Sequence, residues 1–225
     1  MTHDSTAEID ALVAAIAARP QRWPTGTLPR AVGGVPGEAG GGGEGRWQAA
    51  VCVPLHYGPQ GLEIWAIKRQ DGMRHHASEM AFPGGKPDRD DRDLVDTALR
   101  EMDEELGIAR GQVRLLGALA PVPTATSRFT LNPFVVLVSE AAVARPHPGE
   151  VAVLIRMVVA DFFAGRVPFR AVALAAGRTS PIFDFEVGSM YGASAHILEE
   201  TLRAYADVHG LRLPEPTLTN EIPWL

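Results

Sequence analysis

The chain has 225 residues and a net charge of −6 at pH 7, with 46% hydrophobic and 21% charged residues. These values are ordinary for a globular protein and allow one well-filled core. The negative charge argues against nonspecific nucleic-acid binding, which needs clustered lysine and arginine, but phosphate substrates stay open because divalent metals can reverse the local field.

No targeting or membrane segment is recognisable in the sequence. The first four residues carry no basic charge, and the apolar run Ala11–Ala18 is short and follows two acidic residues. Nothing approaches the roughly 18 apolar residues that a membrane span needs. We therefore expect a cytoplasmic protein that contacts neither membranes nor nucleic acids.

The chain begins with a predicted helix and a linker. Apolar residues recur at helical spacing over Ser5–Ala18, where Ser5 and Glu8 form a capping pattern. From Arg19 to Gly45 proline and glycine predominate and large apolar groups are few, which is typical of a linker. We expect residues 1–45 to be this helix and linker, and residues 46–225 to be the folded domain.

Apolar runs then alternate with turn signals. Strands are predicted at Trp47–Leu55, Gly61–Arg69, Val113–Leu119, Pro133–Ser139 and Glu150–Val159. A helical turn at Ala160–Ala164, a hairpin from Val167–Leu174 and Pro181–Val187, and a helix at Ala193–His209 complete the chain. Mixed strands flanked by a few helices indicate an α/β fold, an α/β/α sandwich with a mixed sheet.

The only cysteine, Cys52, lies in the first of these strands. One cysteine excludes an intramolecular disulfide and a cysteine-based zinc site within this chain. Because its neighbours are apolar, we expect a buried strand residue and not a nucleophile.

A helix rich in carboxylates is predicted in the middle of the chain. Asp91 or Asp93 can cap its start, it ends at Leu106, and Gly107 acts as the stop. Its apolar residues fall on one stripe, which we expect to pack on the sheet.

Three carboxylates, Glu101, Glu104 and Glu105, gather beside that stripe at spacings of three and four residues. Such groups repel one another unless a cation compensates, and carboxylate oxygens are the ligands that Mg²⁺ or Mn²⁺ prefer. The preceding Gly84–Gly85 turn lets backbone approach the same place, which offers a carbonyl ligand or room for a phosphate. The alternative is a solvated acidic helix face, the usual meaning of a charge run.

Residues 100–108, REMDEELGI, resemble the second half of the Nudix box, R-E-U-x-E-E-x-G-U with U apolar, at every specified position. The first half departs from the pattern, because Gly85-x5-Asp91-x8-Arg100 has one extra residue and an aspartate in place of glutamate. This variant is similar to the coenzyme A pyrophosphatase branch of the Nudix hydrolases. The resemblance extends from about Arg46 to Tyr205.

A second motif before the box is similar to the signature that this branch uses in coenzyme A recognition. It consists of Arg69, Arg74, His76-Ala77 and Ala81–Gly85. Four positions differ from the usual signature: Ile67, Gln70, Ser78 and Glu79. These departures bear on the identity of the substrate more than on catalysis.

The resemblance implies a catalytic loop–helix–loop in which Glu101, Glu104, Glu105 and the Gly85 carbonyl hold Mg²⁺ or Mn²⁺ against a diphosphate. Arg100 would orient a box carboxylate, with Asp91 as its partner. Either a box glutamate or Glu150, in a loop where the family often places an acidic residue, would act as the general base.

The implied substrate is a small nucleotide diphosphate, coenzyme A or an acyl derivative, cleaved to 3′,5′-ADP and 4′-phosphopantetheine. Arg69 and Arg74 are candidates for contacting its phosphates, beside Gly84 and Gly85, and surface charge at a strand end is the alternative for both arginines. Other nucleoside diphosphates, such as ADP-ribose or a dinucleotide, and a non-catalytic nucleotide sensor are the competing hypotheses.

A pair of histidines and a tryptophan near the end of the sequence are the remaining candidate functional residues. His75 and His76 are expected in a loop role, because a metal site would need a third ligand nearby. Trp224 packs either back on the domain or at the subunit contact of a homodimer, and both alternatives stay open.

Overall fold

The computed structural model describes residues 3–19, 47–71, 78–124, 128–174 and 178–223. The predicted linker beyond Arg19, the histidine pair at 75 and 76, Arg74 and Trp224 lie outside these residues. The first helix, α1, runs from His3 to Ala18 and so begins two residues before the predicted cap.

The strands of the main sheet come from the middle of the chain, and two long neighbours organise it. Strand β1 is Trp47–Gly58 and β7 is Phe129–Val138, and the two run parallel from Trp47 beside Phe129 to Leu55 beside Leu137. Strand β2, Gly61–Arg69, returns antiparallel to β1 after a two-residue turn. The predicted mixed sheet is confirmed.

The other strands of the main sheet are shorter. They are β3 (Met80–Ala81), β4 (Gly84–Gly85), β5 (Val113–Ala118), β6 (Val122–Pro123) and β8 (Val151–Val158). Among the described residues the order is β3-β2-β1-β7-β5, with β4 paired to β1, β6 to β7 and β8 to β2. Strand β7 begins four residues before the predicted start, because residues 129–132 pair with the beginning of β1.

A second sheet forms from the last part of the chain. Its strands are β9 (Phe169–Ala173), β10 (Thr179–Phe185), β11 (Gly188–Met190) and β12 (Thr217–Thr219), in the order β11-β10-β9-β12 within the described residues. The predicted hairpin is confirmed by the antiparallel pairing of β9 with β10. Strand β12 was not predicted, since its three residues carry no alternating pattern.

Helices cover both faces of the main sheet. Helix α2, Leu94–Leu106, packs on the face that carries Ala50 and Cys52. Helix α1 and helix α4, Gly192–His209, pack on the opposite face, which carries Val51, Val53 and Leu55. Helix α3, Val159–Phe163, follows β8. Side chains alternate between the two faces of a strand, so one strand serves both cores, and the α/β/α sandwich is confirmed.

Helix α1 contributes three buried side chains, Ile9, Leu12 and Ile16, to the core that it shares with α4. The division of the chain at residue 46 stays a prediction. No helix of the described residues is long and apolar enough to cross a membrane.

Candidate active site

Helix α2 begins and ends at the predicted residues. The Asp93 side chain accepts a hydrogen bond of 2.8 Å from the Asp96 backbone N–H, so Asp93 is the N-cap. Gly107 ends the helix in the left-handed conformation, with φ of 65°, and its N–H bonds to the Asp103 carbonyl. Only glycine adopts this conformation readily, which explains the stop.

An apolar stripe fixes how α2 lies on the sheet. Leu94, Ala98, Leu99, Met102 and Leu106 are buried against β1, β2 and β7. Cys52 belongs to this core, donates its thiol hydrogen to the Ala98 carbonyl at 3.3 Å, and has a raised pKa because it is buried. Cys52 is therefore a buried strand residue, as predicted, and the stripe leaves the glutamates at its edge.

Glu105 is the most deeply buried carboxylate of α2, with its side chain 1% exposed. Its Oε1 accepts a hydrogen bond of 3.1 Å from Arg69 Nη1, and its Oε2 accepts one of 3.1 Å from the Gly84 backbone N–H. Burial raises the pKa of Glu105 to about 7; Arg69 and Gly84 oppose the rise, and Glu101 and Glu150 add to it. We call Arg69, Gly84 and Glu105 the inner cluster.

Arg100 organises a second group of carboxylates nearer the surface, which we call the outer cluster: Arg100, Asp91, Glu101 and Glu104. Arg100 donates to both Asp91 oxygens, at 3.1 and 3.0 Å, and through Nη1 to Glu101 and Glu104, each at 2.9 Å. The predicted pairing of Arg100 with Asp91 is present. Burial alone would raise the pKa of Asp91, but hydrogen bonds from Arg100, the Asp88 backbone and Thr97, together with the charge of Arg100, outweigh it and the pKa is lowered.

The two remaining glutamates of the box differ in exposure. The Glu104 side chain is 54% exposed, whereas that of Glu101 is 16% exposed. Burial raises the pKa of Glu101, and the nearby carboxylates Glu104 and Glu150 raise it further although Arg100 opposes them. Glu101, although a member of the outer cluster, therefore resembles Glu105 in its raised pKa.

A loop from Arg145 to Glu150 brings another carboxylate to this place. The last carbonyls of a helix lack partners within it, and here Arg145 N–H bonds to the Leu106 carbonyl at 2.6 Å and His147 N–H to the Glu105 carbonyl at 2.8 Å. The Glu150 carbonyl accepts a bond of 3.0 Å from Gln70 N–H. The loop is thereby held against both α2 and β2, close enough for Glu150 to repel Glu101 and Glu105.

The glycine turn lies against the same carboxylates. Strand β4 pairs Gly84 with Val51 and Gly85 with Ala50. A Cβ on Gly85 would lie 2.2 Å from Glu101 Oε1, and one on Gly84 would lie 2.4 Å from the Ala50 carbonyl oxygen. Gly84 requires glycine because the Ala50 carbonyl belongs to the sheet, whereas at Gly85 the obstacle is the carboxylate end of the Glu101 side chain.

Two partners in these clusters were not predicted from the sequence. The Gly84 N–H binds Glu105, and the Lys86 carbonyl accepts a hydrogen bond of 3.0 Å from Arg100 Nη2. Neither leaves a signal in the sequence, because a backbone group can bind any side chain that the fold brings to it. The pairing of Arg69 with Glu105 was also missed, since Arg69 was predicted to contact phosphate.

Residues 46–166 match the model of the NUDIX domain family. This match spans just over half of the chain. The chain belongs to the Nudix family. Nudix hydrolases generally use divalent metal ions such as Mg²⁺ or Mn²⁺. The matched range contains β1 to α3 and both clusters, whereas α1, α4 and the second sheet lie outside it.

Curated relatives are Nudix proteins as well. The uncharacterized Nudix hydrolase NudL of Pectobacterium atrosepticum is 38% identical over 117 residues, which cover 52% of this chain and 60% of that protein. NudL of Yersinia enterocolitica is 40% identical over 104 residues, which cover 46% of this chain and 52% of that protein. The chain thus spans about half to three fifths of the length of these relatives.

Solved Nudix structures also align with part of the chain. The Nudix hydrolase RenU from M. smegmatis is 21% identical, with a TM-score of 0.43, and the alignment covers 52% of this chain and 73% of that one. The Nudix domain of Shewanella oneidensis NrtR, complexed with ADP ribose, is 18% identical, with a TM-score of 0.43, and covers 52% of this chain and 75% of that one.

The carboxylates present fit a hard divalent cation by their chemistry. Buried Glu105 and half-buried Glu101 supply carboxylate oxygens whose pKa values are raised, so a cation would relieve their repulsion. Within the part of the chain that the structure describes, no three acidic, histidine or cysteine side chains are grouped for metal binding. Arg100 instead forms ion pairs with both Glu101 and Glu104. These two carboxylates would have to give up their contacts with Arg100 in order to bind a metal.

Proposed function

We propose that this Nudix protein is a metal-dependent diphosphatase whose substrate is coenzyme A or an acyl-CoA. Cleavage of the diphosphate would give 3′,5′-ADP and 4′-phosphopantetheine or its acylated form. The observation that carries the proposal is the buried carboxylate of Glu105 and the half-buried carboxylate of Glu101 beside the Gly84–Gly85 turn. The resemblance of the preceding motif to the coenzyme A branch supports the choice of substrate.

Glu101, Glu104, Glu105 and the Gly85 carbonyl are the proposed ligands of Mg²⁺ or Mn²⁺. A bound ion of this kind neutralises charge on phosphoryl oxygens and lowers the pKa of a bound water. The protein supplies rigid donors: Glu105 is held from two sides, and Arg100 restrains Glu101 through a shared hydrogen bond. Because these donors are already fixed in place, they do not have to reorganise during the reaction as water molecules would.

Hydrolysis needs a group that accepts the proton of the attacking water. The water oxygen forms a bond to one phosphorus as the bridging P–O bond breaks, and the leaving fragment departs as a phosphate monoester. Glu150 and a box glutamate are the two proposed bases. Glu150 is favoured by its position beside Glu101 and Glu105 and by the hydrogen bonds that fix its loop.

The predicted phosphate contacts of Arg74, Gly84 and Gly85 stay part of the proposal, whereas Arg69, the fourth predicted contact, already binds Glu105. A Cβ at Gly84 would collide with the Ala50 carbonyl and one at Gly85 with the Glu101 carboxylate, so both glycines bring backbone close to these groups. Arg74 lies outside the described residues. A hydrolase of another nucleoside diphosphate, such as ADP-ribose or a dinucleotide, is the second candidate. A non-catalytic sensor is disfavoured because Glu101, Glu104 and Glu105 are all present.

A substrate panel tests the proposal. Initial rates are measured with Mg²⁺ and with Mn²⁺ on coenzyme A, an acyl-CoA, 3′-dephospho-coenzyme A, ADP-ribose and a diadenosine polyphosphate, and products are identified by mass spectrometry. We expect kcat/KM to be highest for the substrates that carry the 3′-phosphate. An equal or reversed preference would contradict the coenzyme A assignment and leave the diphosphatase assignment in place.

A further inference from the structure

The inner cluster holds Glu105 differently from the way the outer cluster holds its carboxylates. Each Glu105 oxygen has one donor, Arg69 Nη1 on Oε1 and the Gly84 N–H on Oε2, both at 3.1 Å. The side chain is 1% exposed and that of Arg69 is 18% exposed. The guanidinium is therefore already bound to a carboxylate in a nearly buried position and does not extend into solvent.

The backbone around Arg69 fixes it in this position. Arg69 lies at the end of β2, where the register with β8 shifts between Lys68 and Arg69. Its own N–H bonds to the Glu79 carbonyl at 3.0 Å, and the N–H of Gln70 bonds to the Glu150 carbonyl at 3.0 Å. The guanidinium is thus anchored from the same strand end that holds the Glu150 loop.

We infer that Arg69 is a positioning residue, which holds the Glu105 carboxylate in place for the proposed diphosphatase reaction. This inference rests on the proposed function and assigns Arg69 a partner within the protein, in place of the substrate phosphate. The guanidinium contacts Glu105 through Nη1 alone, and its buried Nε has no partner in the described residues.

Because Arg69 contacts Glu105 through one N–H group, the inference predicts which substitutions of Arg69 keep its role. A guanidinium that recognises phosphate usually does so with two parallel N–H groups, which a lysine cannot reproduce. A single charged donor to one carboxylate oxygen can be replaced by an ammonium group. Arg69→Lys should therefore preserve the role that Arg69→Met removes.

The test compares wild type, Arg69→Lys and Arg69→Met by Mn²⁺ titration in the absence of substrate, followed by electron paramagnetic resonance. Partners that orient a metal ligand typically contribute about 10- to 100-fold to metal affinity. We expect Arg69→Met to weaken Mn²⁺ binding about tenfold or more and Arg69→Lys to stay within about threefold of wild type. Arg203→Met, which removes the partner of buried Glu199 on α4, is the matched control and should bind Mn²⁺ as wild type does.

Binding of 3′,5′-ADP to the metal-free proteins separates positioning from phosphate recognition. We expect all variants to bind 3′,5′-ADP equally. In steady-state kinetics, Arg69→Met should lower kcat with little change in KM. Unchanged or stronger Mn²⁺ binding by folded Arg69→Met, or a loss of 3′,5′-ADP binding in it, would overturn the inference. A wild type that binds Mn²⁺ but cleaves no diphosphate contradicts the proposed function, whereas a wild type that binds no Mn²⁺ contradicts both.

Discussion

The inner and outer clusters each include glutamates of helix α2 but differ in how their negative charge is compensated. In the outer cluster one arginine serves three carboxylates, and Glu104 is 54% exposed. In the inner cluster one arginine and one backbone N–H serve a single carboxylate that is 1% exposed. The two clusters balance burial against hydrogen bonds with opposite results: the pKa of Glu105 is raised to about 7 even with its partners in place, whereas hydrogen bonds lower the pKa of Asp91, whose side chain is 5% exposed.

The comparison is tested most strongly by removing one charge from each cluster. We expect Glu105→Gln to lower kcat by about 100-fold or more, because a proposed metal ligand that is buried and held in fixed geometry is lost. Glu104→Gln should also lower kcat, by a smaller factor, because its exposed carboxylate can be partly replaced by water. Steady-state kinetics with Mg²⁺ measure both.

Glu199→Gln is the matched control, since Glu199 is also a buried helical glutamate paired with an arginine. It should keep the activity of wild type. Unchanged turnover in both Glu104→Gln and Glu105→Gln would remove the catalytic role from the box carboxylates.

The raised pKa of Glu105 should make the free energy of unfolding depend on pH. Folding raises this pKa from its usual value of 4.5 to about 7, so the folded protein binds more protons than the unfolded chain between these values. The contribution of Glu105 is therefore fully present below about pH 4.5 and is lost as pH rises through 7. In metal-free buffer at pH 8, Glu105→Gln should be more stable than wild type by about 1–3 kcal/mol.

Chemical denaturation from pH 4.5 to 8 in the presence of a chelator measures this effect. The advantage of Glu105→Gln should shrink toward acidic pH. An advantage that is independent of pH, or greatest at acidic pH, would contradict the raised pKa.

Substitutions of the two glycines of β4 should affect stability and activity to different degrees. A Cβ on Gly84 would meet the Ala50 carbonyl, which belongs to the sheet and cannot move, so Gly84→Ala should lower the free energy of unfolding by about 1–3 kcal/mol. A Cβ on Gly85 would meet only the end of the Glu101 side chain. Gly85→Ala should therefore cost less stability and more activity.

Gly111→Ala is the control for this pair, since its Cβ would meet no atom within 4 Å. Thermal unfolding and kcat of the three variants are compared. Equal losses of stability in Gly84→Ala and Gly85→Ala would show that the two contacts are not distinct.

The smallest effect is expected in the loop that leads from Arg69 to β3. Ser78 has a left-handed backbone, with φ of 61°, and its hydroxyl donates to Asp71 Oδ1 at 2.6 Å. Glycine adopts this conformation freely and a β-branched residue does not. Ser78→Gly should keep stability within about 0.5 kcal/mol, while Ser78→Val should lower it by about 1–2 kcal/mol. Equal thermal stability of the two variants would contradict the assigned strain.

The clusters also differ in how far the sequence predicts them. The members of the outer cluster lie within nine residues of Arg100. The spacing of Arg100, Glu101 and Glu104 follows from helix geometry, whereas the pairing with Asp91 was predicted from the family resemblance. The contacts of Glu105 span 36 residues to Arg69 and 21 to Gly84. They depend on which strands are neighbours, and local patterns carry no information about this.

The same reasoning explains the limits of the fold prediction. Long apolar runs such as Gly61–Arg69 were predicted at their observed bounds, because burial on both faces leaves a clear signal. Strands of two or three residues, such as β3, β4 and β12, form only because a longer neighbour pairs with them. Their sequences alone do not distinguish them from turns.

The most direct test of the proposed chemistry is to incubate the folded protein with coenzyme A and Mg²⁺ and to quantify the products by mass spectrometry. We predict 3′,5′-ADP and 4′-phosphopantetheine in equal amounts, with formation abolished by a chelator and restored by added Mg²⁺ or Mn²⁺. Absence of cleavage of coenzyme A and of every other diphosphate tested, by a protein shown to be folded, would contradict a catalytic role for the carboxylates of α2.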